Sequence, residues 1–247
     1  MWKNKKISVV FATYREKESI RRAIEDFLAT GFVDEIVVVN NNAEPGTDEE
    51  IKKAEDPRIR LIYEKKQGMG FAFQKGLEEA TGDCVVLSEP DGTFEASDIE
   101  RFLVYAKDFP AVFGTRTNQS AILEGAAMGL FRKLANVFEA KIIEVFFATN
   151  ALTDIGCIYR LLHKDVIQKI KPFWREGGAL FPTEILLLAV SQRVNFIEIP
   201  ITFKERVGES TMTNNRLKLA KWGLYILWFI IVFWIRWIPG SLRVAKK

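Results

Sequence analysis

The chain has 247 residues, of which 48% are hydrophobic and 27% are charged, a composition typical of a globular protein and not of a disordered or fibrous one. Lysine and arginine total 35 against 32 acidic residues, and so small an excess excludes a nucleic-acid binder that depends on bulk positive charge. One histidine and two cysteines exclude a multi-histidine metal site and a disulfide scaffold, so we interpret Cys84 and Cys157 as reduced core residues.

Short apolar segments alternate with amphipathic segments through the first half of the chain. The apolar runs predict four buried strands, at residues 7–12, 35–39, 59–63 and 84–87. Apolar residues at helical spacing predict helices at residues 16–28, 47–54 and 70–80. This alternation predicts a mostly parallel, doubly wound α/β sheet. Ligands bind such sheets beyond the carboxyl ends of the strands, so the residues after each strand form the candidate site.

Two carboxylates stand one residue apart after the fourth predicted strand. Glu89 and Asp91 flank Pro90, and a carboxylate pair at a strand end can hold Mg²⁺ or Mn²⁺, which in turn holds a diphosphate. The alternative interpretation is a Pro-Asp-Gly turn with Glu89 as a solvated neighbour.

A glycine-rich turn containing Gly68 and Gly70 lies at the start of the third predicted helix. It lacks the third glycine of a dinucleotide-binding fingerprint, and the chain has no phosphate-binding Walker loop. The turn therefore indicates either a nucleotide-binding loop or a tight turn that opens a helix.

In sequence order, these segments resemble those of the family-2 glycosyltransferases, which have the GT-A fold. The resemblance is carried by residues 9–16, 37–47, 68–76, 80–83 and 89–91. Later segments look like the dolichyl-phosphate mannose synthase branch, at residues 113–116, 154–160, 184, 198–200 and 206–210. The resemblance covers roughly residues 6–215 and implies a GT-A glycosyltransferase domain at residues 1–215.

On the donor side, the resemblance implies a nucleotide-sugar site. The implied nucleotide-binding residues are Thr13, Tyr14, Glu16, Asn41, Gly68, Asp83 and Glu89. Asn41 matches a position where the family usually has an aspartate that reads the base, which leaves the base open among uracil, guanine and cytosine. Glu89 and Asp91 match the metal motif, with Glu89 in place of the usual first aspartate. Asp83 either supports the nucleotide loop or caps a turn.

On the acceptor side, the resemblance implies a phosphate site built from Arg116, Arg132, Arg206 and Ser210. A guanidinium binds phosphate oxygens bidentately and stays charged, whereas the alternative for each arginine is a surface side chain over apolar neighbours. Glu184 lies in an apolar segment, residues 180–190, where an unpaired carboxylate is costly. We therefore expect a cation partner or a catalytic role for Glu184, beside Asp91, Arg116 and Arg206. His163 is interpreted as a surface residue.

The C-terminal segment is apolar on all sides. Residues 222–235 form an uncharged run of 14, which as a helix is about 21 Å long and short of a hydrocarbon core of roughly 30 Å. A buried core helix or a re-entrant segment therefore stays open. Tryptophans at both ends of the run and flanking basic residues favour a membrane anchor in contact with lipid. We predict an anchoring segment at residues 216–247, on the cytoplasmic face of the cell membrane.

These features together predict a metal-dependent glycosyltransferase that moves a sugar from a nucleotide-sugar to a polyprenyl or dolichyl phosphate, with no nucleic-acid partner. Because an acceptor phosphate is already an anion, the reaction needs no strong general base. A transferase that acts on a saccharide hydroxyl stays open, as does a protein that binds a nucleotide-sugar without turnover. A nucleotidyltransferase is disfavoured because the N-terminus lacks a glycine-rich loop bearing arginine or lysine. The sugar, the base and the lipid chain length are left open.

Overall fold

The computed structural model describes residues 2–124, 126, 129–208 and 216–244. Seven strands form its sheet: β1 Ile7–Thr13, β2 Glu35–Asn40, β3 Ile59–Tyr63, β4 Cys84–Ser88, β5 Ala111–Thr115, β6 Arg160–His163 and β7 Phe196–Pro200. The α-helices are α1 Lys17–Ala29, α2 Thr47–Lys52, α3 Met69–Glu79, α4 Ile99–Tyr105, α5 Leu130–Phe147, α6 Lys164–Ile170, α7 Phe181–Ser191 and α8 Arg216–Val244.

The sheet has the strand order β3-β2-β1-β4-β6-β5-β7. All strand pairs are parallel except those of β6, which runs antiparallel to both β4 and β5. The four strands predicted from the first half of the chain are present, and each begins at its predicted residue. The predicted mostly parallel α/β fold is therefore confirmed.

Helices cover both faces of the sheet because its central strands are apolar on both sides. Val9 and Val10 are adjacent on β1, point to opposite faces and are both fully buried. Gly76 allows α3 to approach the sheet closely, since a Cβ atom there would lie 2.2 Å from Val10 Cγ1. The core thus holds the ends of the strands in fixed positions.

The parallel strands end together at one side of the sheet, which we call the carboxyl edge. Antiparallel β6 begins at that edge, because Arg160 pairs with Leu87 and His163 pairs with Cys84. The residues just before β6 therefore lie with those that follow β1, β2, β3, β4, β5 and β7. These segments contain most of the predicted site residues.

Helix α8 is longer than the uncharged run in the sequence. Within it, Lys218–Trp237 is 20 residues long and apolar enough to cross a membrane, and only 6% of that segment is buried. The helix packs on α5 through Ile230, which is fully buried, and through Trp234, whose ring stacks on Phe146 with centroids 4.5 Å apart. At about 1.5 Å per residue, 20 residues match a hydrocarbon core of roughly 30 Å.

Candidate active site

Asp91 lies in the turn after β4 at the carboxyl edge, where Gly92 adopts a positive φ of 80°. Its side chain is 1% exposed. Oδ1 accepts hydrogen bonds from the Thr93 amide at 3.0 Å and the Thr93 hydroxyl at 2.6 Å. Oδ2 accepts from Arg206 Nη1 at 2.8 Å. The carboxylate is therefore fixed in orientation by its own turn and by a distant arginine.

Arg206 also binds the loop after β1. Its Nη2 donates to Glu16 Oε1 at 2.9 Å, while Glu16 Oε2 accepts from the Tyr14 and Arg15 amides at 2.7 and 2.9 Å. In this loop Thr13 is buried and Tyr14 is 39% exposed. The structure thus brings Glu16, Asp91 and Arg206 together, as the sequence predicts for residues of one site.

Glu89 is half-buried beside this cluster. Burial and the charge of Asp91 raise the pKa of Glu89 to about 8, against the opposing charges of Arg116 and Arg206. The structure gives its carboxylate no hydrogen bond within the described residues, and no group of three or more potential metal-ligating side chains occurs among them. A pair of carboxylates fits Mg²⁺ or Mn²⁺, which commonly takes its other ligands from water and substrate phosphates.

Asn41 is buried and fully hydrogen-bonded within the protein. It is 2% exposed, and its Nδ2 donates to the Glu64 and Lys66 carbonyls at 2.8 and 2.9 Å. Its Oδ1 accepts from the Gly68 amide at 2.8 Å and from the Gln67 side chain at 3.3 Å. Both amide donors and both acceptor positions are occupied, so Asn41 holds the loop after β3, and its contact with the base stays a prediction.

Gly68 lets two loops meet at the start of α3. Its φ is +147°, and a Cβ atom there would lie 2.2 Å from the Gly177 carbonyl oxygen. That carbonyl accepts a hydrogen bond from the Phe71 amide at 3.2 Å. The glycine turn predicted from the sequence therefore seats the segment around Gly177 against the loop that Asn41 holds.

Glu184 is held by backbone amides and not by a cationic side chain of the described residues. The carboxylate is 3% exposed and accepts hydrogen bonds from the backbone amides of Arg175 and Glu176 at 3.0–3.1 Å. Burial raises the pKa of Glu184, although these amide bonds oppose the rise. Among the described residues it forms no ion pair, so in the structure Glu184 holds a loop, and its catalytic role stays a prediction.

Asp83 lies at the other end of the sheet. It precedes β4, is exposed, and its Oδ2 accepts from the Lys6 amide at 2.7 Å. His163, which pairs with Cys84, is at the same end and half-buried. The strand direction therefore separates Asp83 from the carboxyl edge, which corrects its expected place in the nucleotide site and favours a role in the turn.

Arg116 follows β5 and is held by Asp154. The amide, Nε and Nη2 of Arg116 donate to the Asp154 carboxylate at 3.0, 2.8 and 2.9 Å. Burial alone would raise the pKa of Asp154, but the charge and hydrogen bonds of Arg116 lower it below its usual value. Among the described residues, nothing binds Nη1, which leaves one side of the guanidinium for a ligand.

Glu198 on β7 fixes the segment that contains Asp154. Its carboxylate accepts from the Thr153 amide and hydroxyl at 2.8 and 2.7 Å and from the Asp154 amide at 2.9 Å. Burial raises the pKa of Glu198 to about 7 against these bonds. The sequence points to residues 198–200 but gives Glu198 no role, because its partners lie 44–45 positions away.

Arg132 lies in the first turn of α5 and is half-buried. One turn later, Asn136 Nδ2 donates to the Arg132 carbonyl at 3.2 Å. A Cβ atom on Gly156 would lie 3.4 Å from Arg116 Nη2 and 3.7 Å from Asn136 Oδ1. Asn136 therefore lies near Arg116, a proximity that the sequence pattern does not indicate. Ser210 lies outside the described residues.

The sequence matches the model of a known protein family. The model of glycosyl transferase family 2 matches residues 8–170. The chain belongs to this family. The match covers β1 to β6 and includes Glu16, Asp91, Arg116 and Asp154.

Curated relatives include enzymes that act on dolichyl phosphate. The chain is 24% identical to the dolichyl-phosphate beta-glucosyltransferase of Saccharomyces cerevisiae, over 98% of this chain and 78% of that protein. It is 26% identical to dolichyl-phosphate beta-glucosyltransferase ALG5C of Trichomonas vaginalis, over 81% of this chain and 60% of that protein. Low-salt glycan biosynthesis hexosyltransferase Agl6 of Haloferax volcanii is 25% identical, over 84% of this chain and 50% of that protein.

Solved structures confirm the fold. Glucosyl-3-phosphoglycerate synthase of Mycobacterium tuberculosis, in complex with Mn²⁺, UDP and glucosyl-3-phosphoglycerate, superimposes with a TM-score of 0.71. The alignment covers 93% of this chain and 80% of the synthase at 12% identity. The protein therefore has the GT-A fold of family-2 glycosyltransferases.

Proposed function

We propose that the protein transfers a sugar from a nucleotide-sugar to a polyprenyl or dolichyl phosphate. The observation that carries this proposal is the meeting of two carboxylates and two guanidinium groups at the carboxyl edge. Arg206 bonds directly to Asp91, and the charges of both Arg116 and Arg206 act on Glu89. The names of the yeast and Trichomonas relatives give the same class of acceptor.

On the donor side, Glu89 and Asp91 would hold Mg²⁺ or Mn²⁺. Such an ion, when bound, neutralises charge on the leaving nucleoside diphosphate. The M. tuberculosis synthase of the same fold was solved with Mn²⁺ and UDP-glucose. The loops after β1 and β3 would enclose the nucleoside, since Glu16 organises the first by accepting two of its amides and Asn41 fixes the second.

On the acceptor side, Arg116 and Arg206 would bind the phosphate of the lipid. Asp154 occupies Nε and Nη2 of Arg116, so the guanidinium is held in one orientation and Nη1 would donate to the phosphate. A phosphate oxygen is already negative at neutral pH and attacks the sugar without a proton acceptor. The position of His163 at the opposite edge accords with a reaction that uses no histidine base.

Two helices would place this site at a membrane. The segment Lys218–Trp237 of α8 is long enough to span. Parallel to it, α5 exposes large apolar side chains at Leu130, Phe131, Leu134, Phe138 and Val145. A contiguous exposed apolar surface of this kind marks a membrane or protein contact. A bilayer is also where a polyprenyl phosphate resides, so we place the protein in the membrane with its site on the cytoplasmic face.

The deciding experiment incubates membranes containing the full-length protein with a panel of radiolabelled nucleotide-sugars and Mn²⁺. We expect one donor to transfer label into the organic-solvent phase, and the amount to increase with added polyprenyl phosphate. Label in a water-soluble glycan would instead establish a saccharide hydroxyl acceptor. Binding of a nucleotide-sugar by calorimetry without any transfer would establish a protein that binds the donor without turnover.

A further inference from the structure

A cavity of about 430 Å³ lies between α7, the segment 173–176 and the C-terminal half of α8. None of the carboxyl-edge residues Glu16, Asp91, Arg116 and Arg206 lines it. Its apolar lining is Phe173, Leu188, Phe229, Val232, Phe233 and Trp237. A cavity lined in this way takes a hydrocarbon group more readily than a sugar or a nucleotide.

One face of α8 forms a wall of the cavity. Its lining residues on α8 are spaced at i, i+3, i+4, i+7 and i+8, beginning at Phe229 and ending with Arg236 and Trp237. Another face of the helix exposes Trp228 and Ile235, at 63% and 55%. The helix that we place in the membrane therefore also borders the cavity, so a lipid chain has a short path into it.

The charged lining of the cavity consists of two carboxylates and two guanidinium groups. The Glu184 carboxylate is occupied by the amides of Arg175 and Glu176, and Glu176 Oε1 accepts from the Gly178 amide at 2.8 Å. The guanidinium groups of Arg175 and Arg236 line the cavity and are exposed. Within the described part of the chain, neither forms an ion pair. Two unpaired guanidinium groups beside an apolar cavity match a phosphate attached to a hydrocarbon chain.

We propose that this cavity binds an anionic membrane phospholipid, separate from the acceptor. One acyl chain lies along Phe229, Val232 and Phe233, and the phosphate lies between Arg175 and Arg236. The inference rests on the proposed membrane residence, but not on the identity of the sugar acceptor. The phospholipid would secure α8 to the domain at the point where the helix leaves α5.

The bound phospholipid would also influence the donor side of the site, because it would contact Glu176. This residue lines the cavity, and its carbonyl accepts from Gln74 Nε2 on α3 at 2.9 Å. The next carbonyl, that of Gly177, accepts from the Phe71 amide. Phospholipid binding therefore stabilises the loop that docks on Gly68, and we expect it to lower the KM for the nucleotide-sugar.

The test measures lipid retained by the full-length protein in detergent, by native mass spectrometry, after addition of phosphatidylglycerol or phosphatidylcholine. We expect one phosphatidylglycerol to be retained in preference to phosphatidylcholine. The double variant Arg175→Gln/Arg236→Gln should lose at least about tenfold in affinity, since each charge-assisted bond is worth about a factor of ten or more. Val232→Trp, which fills the cavity, should lose the lipid as well. The matched control is Lys221→Gln, which removes a basic residue of α8 outside the cavity. This variant should retain the lipid.

Equal retention of the two lipids, or an unchanged affinity in the double variant, would overturn the proposal in favour of non-specific lipid around α8. Displacement of phosphatidylglycerol by one polyprenyl phosphate would overturn it in favour of the acceptor chain. Specific retention by a protein that forms no lipid-linked sugar would leave this inference standing and reject the proposed function. A full-length protein that is monomeric without detergent would reject the membrane residence itself.

Discussion

The Arg206 guanidinium binds the Asp91 carboxylate, with 2.8 Å between Nη1 and Oδ2, although 115 positions separate the two residues in the sequence. The bond joins the carboxylate expected to hold a metal to an arginine expected to hold the acceptor phosphate. Because Asp91 is 1% exposed, removal of Arg206 leaves a buried carboxylate without its counterion, whereas removal of Asp91 leaves Arg206 paired with Glu16. If the proposed roles hold, this ion pair couples the donor side of the site to the acceptor side.

Replacement of Asp91 tests the donor side. Asp91→Asn removes a negative charge from the carboxylate pair, and we expect turnover with Mn²⁺ to fall by at least about a hundredfold. The measurement is sugar transfer in a metal titration. Asp83→Asn, the same change at the opposite edge of the sheet, is the matched control and should keep full activity. Undiminished turnover of Asp91→Asn in excess chelator would contradict the metal assignment.

Replacement of the arginines tests the acceptor side. Arg116→Ala and Arg206→Ala should each raise the KM for polyprenyl phosphate about tenfold to a hundredfold, because each removes charge-assisted hydrogen bonds. Lysine should restore only part of the affinity, since an ammonium group lacks the planar fork. Arg58→Ala breaks a similar bidentate pair, with Asp56, at the opposite edge and should leave the KM unchanged. Variants that lose nucleotide binding with normal acceptor dependence would assign the arginines to the donor diphosphate.

Glu139 on α5 predicts a dependence of stability on pH. Burial raises its pKa to about 7, so the folded protein keeps a proton that the unfolded chain releases near pH 4.5. The free energy of unfolding therefore falls as pH rises from about 4.5 to about 7 and is level above that range. Glu139→Gln should be more stable than the wild type by about 1–3 kcal/mol at pH 8 and no more stable at pH 4.

Thermal unfolding in detergent at the two pH values measures this difference, at roughly 2–4 °C per kcal/mol. Glu144→Gln on the same helix is the control. Burial alone would raise the pKa of Glu144, but hydrogen bonds from Lys141 and from the Leu152 amide lower it. Its replacement should destabilise the protein at pH 8, opposite in sign to Glu139→Gln. Equal Tm values for wild type and Glu139→Gln at pH 8 would show that the carboxylate is solvated.

The exposed face of α5 predicts a second contact with lipid. Leu134 and Phe138 lie one turn apart and are 58% and 62% exposed. Leu134→Glu/Phe138→Glu should weaken binding to vesicles or, if α8 alone retains the protein, raise the KM for the polyprenyl acceptor. Co-sedimentation and acceptor titration measure the two effects. Val104→Glu changes an apolar residue of α4 that is 43% exposed and should alter neither.

Much of the fold could be predicted because its first half follows simple periodicity. The strand starting at Ile7 and the strand starting at Cys84 are short, mainly apolar runs, and the rule that ligands bind at carboxyl ends singles out Glu16 and Asp91. The roles of Asn41 and Glu184 could not be predicted, because their partners are backbone groups of loops brought near by folding. The local sequence does not distinguish a carboxylate that accepts hydrogen bonds from two backbone amides from one that contacts a substrate. Antiparallel β6 is only four residues long, too short to show a period.

In the proposed function, the reversed direction of β6 assigns the two substrates to different chain segments. The donor loops would follow β1, β3 and β4, whereas the acceptor groups would come from segments after β5, before β6 and after β7. The segment between β5 and β6, which contains α5, can therefore vary without altering the strands that would carry the nucleotide site. Exchange of residues 117–153 with the corresponding segment of another family-2 transferase is thus a direct route to an enzyme with the same donor and a different acceptor.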